Sequence, residues 1–132
     1  MAIQIKRIYD PVQKSDGIRL LVDRLWPRGI SKEAVQLDGW PKELTPSTGI
    51  RVWFGHKEEK FDEFAVLYRS ELDASPDAQK TVREIIQQSR DNTVTLLYAA
   101  KDPRINHAII LKNYLDEKMQ PMQLFITNYN SD

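Results

Sequence analysis

The segment IRLLVDRLWPRGISK (residues 18–32) decides the fold that the sequence predicts. Its first nine residues carry apolar side chains on both faces of an extended chain, which is typical of a parallel strand covered by helices on either side. The segment NTVTLLYAA (92–100) has the same pattern. We therefore predict two central strands, at 18–26 and 93–100.

Amphipathic helices and further short strands fill the rest of the chain. The segment TPSTGIRVWFGH (45–56) fits either a strand or a helix, and we favour a helix because Thr45-Pro46-Ser47 is a start signal and Gly55 a stop signal. The other predicted elements are a strand at 3–9, a short turn capped by Ser31, an edge strand at 37–44, helices at 57–72, at 76–90 and from Asp102-Pro103 onward, and a last strand at 121–127.

Strands that alternate with helices along a chain predict an α/β fold. We expect residues 1–132 to form a single compact α/β domain with a mostly parallel central sheet of about four to five strands and helices on both faces. A chain of 132 residues buries enough surface to fold without a disulfide or a structural metal.

Composition narrows the class of protein. Hydrophobic residues make up 41% of the chain and charged residues 29%, which is typical of a globular protein. No stretch has the length of a membrane span, and the first ten residues lack the apolar core of a signal peptide. The absence of cysteine excludes thiol catalysis and fits a reducing compartment. We therefore expect a cytoplasmic protein without a membrane partner.

The net charge limits the kinds of ligand that the protein attracts. Nineteen basic residues balance nineteen acidic ones, so no overall field draws the protein to nucleic acid. An anion site must then be a local cluster of cations.

Such a cluster is predicted where the two central strands end. Open α/β sheets bind ligands at the carboxyl ends of their strands, where loops and helix N-termini meet. If the two strands are parallel neighbours, their ends bring several cations together, and we predict a site for a small anion such as a phosphate or a nucleotide. The ligand-binding candidates are Arg24, Arg28, Lys32, Lys101 and Arg104.

Acid and base candidates lie in the same region. His107 and Tyr98 are the candidates for acid/base catalysis. Asp102 is a third catalytic candidate, although an aspartate directly before Pro103 also fits a helix cap. Asp23 fits a role in holding an arginine in a fixed rotamer. His56, beside Gly55, fits a favourable cation at a helix end.

Metal and cofactor sites are not predicted. The chain has two histidines, far apart and without ligand spacing, and it lacks a dinucleotide fingerprint, a phosphate loop and a nucleophile elbow.

The motifs also resemble a known family. "LVDRLWPRGISK", "F-x-x-x-Y-x-x-E-L" (64–72), "VTLLYAAKD" and "NHA" occur in the order found in the YeaO-like family of small bacterial proteins, domain-of-unknown-function family 488. The resemblance runs from about Ile5 to Leu115 and implies a compact α/β fold, with no established activity. Its motif residues fall on Asp23, Arg24, Trp26, Pro27, Arg28, Gly29, Lys32, Trp40, Pro46, Ser47, Trp53, Phe54, Tyr68, Glu71, Leu72, Tyr98, Lys101, Asp102, Asn106 and His107.

Three functional hypotheses follow. The first is an enzyme or a binding protein for a small anion, and the sequence leaves open which of the two it is. The second is a module that binds nucleic acid or protein through the loop from Trp26 to Lys32. The third is a structural network of charges without a ligand.

Overall fold

The computed structural model describes residues 2–119, which form a mixed α/β fold around an open parallel sheet. The strand order is β1-β3-β2, and both neighbouring pairs are parallel. The elements are β1 (Ile3–Arg7), β2 (Ile18–Leu21), α1 (Lys32–Val35), α2 (Thr48–Phe54), α3 (Phe61–Ala74), α4 (Pro76–Ser89), β3 (Val94–Tyr98) and α5 (His107–Met119).

The parallel sheet is confirmed, but the number and length of its strands were predicted wrongly. Residues 2–119 contain three strands rather than four to five, and the strand predicted at 121–127 lies outside the described residues. The segment 37–44 forms a single bridge, from Gly39 to Leu20, because the chain then turns into Pro41, which has no N–H to donate. β2 stops at Leu21 and lies at an edge of this sheet, whereas β3 is central as predicted.

The two faces of the sheet are covered differently. One face packs against α2, α3, α4 and α5 through a large apolar core that includes Val22, Phe64 and Leu96. The other face carries a smaller cluster around Leu21 and Leu97, beneath loops and the single turn of α1. The prediction of helices on both faces therefore holds fully for the first face. On the second face, α1 is the only helix among residues 2–119 that contributes side chains to the apolar cluster.

Capping residues explain where most helices begin. Ser31 and Ser75 each accept a backbone N–H of the helix that follows, as the sequence predicts, and α2 ends at Gly55 in the left-handed region. The predicted start of α5 was wrong. The helix begins at His107, where the Asn106 side chain accepts the N–H of Ile109.

A buried ion cluster holds the segment that crosses from β1 to β2. Asp16 is 1% exposed and accepts from Arg19 Nη1 at 2.5 Å and from Lys6 Nζ at 3.0 Å. Gly17 follows at a φ of 64°, and a Cβ there would lie 2.1 Å from the carbonyl oxygen of Thr93. The crossover therefore requires both the Asp16 carboxylate and a glycine.

We predict that Asp16→Asn lowers the free energy of unfolding by about 3 kcal/mol, because it leaves Arg19 and Lys6 without a buried counter-charge. Urea denaturation followed by circular dichroism measures the change. Asp91→Asn, at an exposed position after α4, is the matched control and is expected to change stability by less than about 0.5 kcal/mol. Equal midpoints for the two variants would contradict the structural role of Asp16.

The same cluster predicts a pH dependence. Burial alone raises the pKa of Asp16, but the Gln13 backbone N–H, Lys6 and Arg19 together lower that pKa below its ordinary value of 3.8. A lowered folded-state pKa contributes stability above the ordinary value, and the contribution is lost as the pH falls through the folded-state pKa. The stability difference between the wild type and Asp16→Asn is therefore expected to shrink below about pH 4. A stability difference between the two proteins that stays constant down to pH 2 would contradict this pH dependence.

Candidate functional site

A cavity of about 590 Å³ opens at the carboxyl ends of β2 and β3. One side of it comes from residues 23–25 and 99–102, which follow the two strands, and from the start of α5. The other side comes from α2, the turn after α2, and α3. This volume is within the range of sites for small organic ligands.

Asp23 ties the elements around this cavity together. Its Oδ2 accepts the N–H of Ala99 at 3.1 Å, which continues the pairing of the two strands after β2 has ended. Its backbone carbonyl accepts the indole N–H of Trp40 at 2.7 Å. Oδ1 lies 3.0 Å from Nε2 of His107, at the N-terminus of α5. Asp23 thus joins both strand ends, α5 and the loop that covers the second face.

The environment of His107 determines which ring nitrogen carries the proton. Nε2 lies 2.8 Å from the carbonyl oxygen of Val22, which only accepts hydrogen bonds. Nε2 is therefore the donor, and in the neutral ring Nδ1 is an acceptor. Because the N–H is directed to Val22, Oδ1 of Asp23 is left without a hydrogen bond among residues 2–119, despite its closeness to the ring. Nδ1 has no hydrogen-bond partner among those residues either, and His107 lines the cavity.

Asp102 is the other carboxylate of the cavity. Its Oδ1 accepts the backbone N–H groups of Arg104 at 2.8 Å and of Ile105 at 3.1 Å. Asp102 therefore stabilises the turn before α5 and does not cap the helix itself.

The cations of the cavity are Arg24, Arg51 and Lys101. Arg24 donates to two backbone carbonyls, of Pro46 at 3.2 Å and of Thr45 at 3.4 Å. The side chains of Arg51 and Lys101 make no hydrogen bond or ion pair with any described residue, and Nε of Arg51 is buried. No ion pair within residues 2–119 links any of the three to a carboxylate.

Aromatic rings form the floor of the cavity. Phe54 and Phe64 stack with their centroids 4.3 Å apart and their planes within 7°. Tyr68 continues the row towards His107 and donates from its hydroxyl to the carbonyl oxygen of Leu44. Burial raises the pKa of Tyr68 far above its ordinary value, with Glu71 and Asp23 adding to the effect and Arg24 opposing it. Tyr68 is thus a neutral, structural donor.

The structure brings four of the eight predicted site residues together. Arg24, Lys101, Asp102 and His107 line the cavity. The other four, Arg28, Lys32, Arg104 and Tyr98, are not among its lining residues.

Arg28 and Lys32 follow Trp26, whose ring packs edge-on against Trp40 in the cluster on the second face. The ammonium of Lys32 lies over the Trp26 ring, 5.9 Å from its centroid. The backbone carbonyl of Arg28 accepts the Tyr9 hydroxyl at 2.8 Å.

Tyr98 is buried in the apolar core on the face of α5. Burial raises its pKa, Asp10 and Asp102 add to the effect, and Arg7 opposes it. The phenol is therefore neutral near pH 7, which does not suit a general base.

Arg51 and His56 line the cavity but were missed as site residues in the sequence. His56, in particular, was interpreted as a cation at a helix end. The only sequence feature that the two residues share is their position on α2 and in the turn after it. That position indicates the cavity only once α2 is known to pack near the strand ends.

Two further observations concern metals and membranes. Within residues 2–119, no three His, Asp or Glu side chains come together as a metal site would require. In the same part of the chain, none of the helices has the length and apolar character needed to cross a membrane.

Comparison with known proteins places the chain in a family. The family model described as "Inactive DUF488-N3 subclade" matches residues 2–131. The chain belongs to this family. The resemblance to YeaO-like proteins is thereby confirmed, and the comparison adds the more specific subclade.

Two bacterial relatives are similar over most of their length. The chain is 44% identical to the uncharacterized protein YeaO of Escherichia coli over 115 residues, which cover 87% of this chain and 97% of the relative. It is 34% identical to the uncharacterized protein Mb3100c of Mycobacterium bovis over 114 residues, which cover 86% of this chain and 93% of the relative. No solved structure matches the chain.

We predict that neutral His107 carries its proton on Nε2, because the Val22 carbonyl requires a donor there. Long-range nitrogen–proton NMR correlation, recorded at a pH where the ring nitrogen shifts show the neutral form, measures the tautomer. The exposed His56 is the internal reference and is expected to show a mixture of tautomers. A His107 ring protonated on Nδ1 alone would contradict the assigned hydrogen bond.

Proposed function

We propose that this protein binds a small organic anion, such as a phosphorylated metabolite or a nucleotide, in the cavity at the strand ends. The observation that carries the proposal is that the acidic and the basic side chains of the cavity differ in the partners that they have among the described residues. Oδ2 of Asp23 and Oδ1 of Asp102 accept backbone N–H groups of the chain, whereas Arg24, Arg51 and Lys101 have no carboxylate partner among the described residues. Nε of Arg51 is buried without a hydrogen-bond partner among residues 2–119, which is costly, and a bound anion that accepts from it would remove that cost.

Binding without turnover is the form of this function that we favour. The subclade is described as inactive, and of the three predicted catalytic residues Tyr98 does not line the cavity, while Asp102 is used to hold the turn before α5. Acid/base catalysis is the second candidate, because the Nε2–H tautomer leaves Nδ1 of His107 as an acceptor beside the cations. A reaction would therefore depend on Nδ1.

A cytoplasmic location is part of the same proposal, because phosphorylated metabolites and nucleotides are found there. The alternative of a nucleic-acid or protein-binding module depends on a different surface. The loop from Trp26 to Lys32 covers the second face of the sheet, whereas the cavity lies at the strand ends. The two hypotheses therefore predict effects from different residues.

We predict that Arg51→Gln and Lys101→Gln each weaken the binding of an organic phosphate by about 10- to 100-fold, the loss of one charge-assisted hydrogen bond of about 1.5–3 kcal/mol. Arg28→Gln, which removes an exposed cation outside the cavity, is the matched control and is expected to leave the affinity unchanged. Amide-correlation NMR titrations of the labelled protein with nucleotides, sugar phosphates and a short oligonucleotide measure the affinities.

The shifted amides distinguish the hypotheses. Shifts confined to residues 23–25, 51–56 and 99–107 with an organic phosphate support the proposal. Shifts in residues 26–32 with the oligonucleotide alone, abolished by Arg28→Gln, would overturn it in favour of the nucleic-acid module.

A further inference from the structure

We infer that the ligand of this cavity is an amphipathic organic anion, with an apolar body about the size of an aromatic ring joined to a phosphate or carboxylate group. The inference rests on the proposed function and specifies the class of ligand. It follows from the groups of the cavity that can bind an anion and from the apolar character of the rest of the cavity lining.

Four of the backbone N–H groups near the cavity already have acceptors within the chain. An inorganic phosphate is typically held by several backbone N–H groups at a helix N-terminus or in a glycine-rich turn. Here Asp102 accepts two of those N–H groups in the turn before α5, and the Asn106 side chain accepts a third, from Ile109. The N–H of Ala99 is taken by Asp23. The charged groups that the cavity offers to an anion are the side chains of Arg24, Arg51 and Lys101.

Much of the remaining surface of the cavity is apolar. Phe54 and Phe64 form the floor, and Pro46, Ala99 and Ala100 lie beside them. At the mouth, Leu25 is 64% exposed directly beside Arg24. Leu25 would give the apolar body of a ligand a contact next to the cation of Arg24.

The volume agrees with a two-part ligand. A cavity of about 590 Å³ is much larger than a single phosphate or carboxylate group, and sites of this size are typically lined by apolar side chains with a few polar groups that fix orientation. The cations would then orient the anionic group, while the ring would lie between the Phe54–Phe64 floor and Leu25.

Three probes separate the parts of the inference, titrated into the full chain by calorimetry at about pH 8, where phosphate monoesters are dianions. Phenyl phosphate carries both the ring and the anion, methyl phosphate carries the anion without the ring, and benzyl alcohol carries the ring without charge. We expect phenyl phosphate to bind at least tenfold more tightly than methyl phosphate, and benzyl alcohol to show no measurable binding.

Every other outcome contradicts either the amphipathic ligand or the anion site itself. Equal affinity for phenyl and methyl phosphate would leave the anion site standing and overturn the amphipathic ligand. Benzyl alcohol binding as tightly as phenyl phosphate, or no binding of any probe, would overturn the proposed function and with it this inference.

Two matched variants test the position of the ring. Leu25→Ser is expected to weaken phenyl phosphate binding by about threefold and to leave methyl phosphate unaffected, because it removes one apolar contact at the mouth. Val52→Ser changes a residue that is 71% exposed on α2 and does not line the cavity, and we expect it to change neither affinity. Unchanged phenyl phosphate binding in Leu25→Ser would overturn the placement of the ring against Leu25.

Discussion

The site depends on Asp23, whose carboxylate and backbone carbonyl join elements that share no regular secondary structure. β2 ends two residues earlier, at Leu21, yet Asp23 still accepts the backbone N–H of Ala99 beyond the end of β3. Its backbone carbonyl accepts from Trp40, and its second carboxylate oxygen lies beside the ring of His107. The carboxylate that follows this apolar strand therefore holds the two strand ends together, and the backbone carbonyl of the same residue holds the covering loop. These contacts therefore set the relative positions of the residues that line the cavity.

The distribution of internal hydrogen bonds determines the chemistry that remains. At an open α/β sheet, helix N-termini and strand ends ordinarily supply backbone donors to a ligand. In this protein Asp23, Asp102 and Asn106 accept such donors themselves. The formal positive charge of the cavity belongs to the side chains of Arg24, Arg51 and Lys101, and the apolar lining from Phe54 and Phe64 favours a different ligand from that of a glycine-rich phosphate loop.

Local patterns in the sequence were sufficient for the helices and for part of the site. The start signals at Ser31 and Ser75 and the stop signal at Gly55 act within one turn of chain, so they were predicted correctly. Arg24, Lys101, Asp102 and His107 were found because they lie in the segments that lead away from the ends of the two strands.

The remaining site residues depend on packing that no local pattern contains. Arg28 and Lys32 also follow a strand, but the preceding Trp26 packs against Trp40 and carries them to the second face. Arg51 reaches the cavity only because α2 packs on α3 beside the strand ends. In both cases a contact between residues distant in sequence decides the position.

The strand order has a consequence for how the chain is made. β1 and β2 do not pair with each other, and each finds its partner strand in β3, more than seventy residues later in the chain. During synthesis the first two strands therefore leave the ribosome before the strand that joins them, and the bridge from Leu20 to Gly39 is the pairing open to β2 until β3 has emerged. The alternating polar residues of β1, Gln4 and Lys6, keep that strand less prone to associate with other chains during this interval.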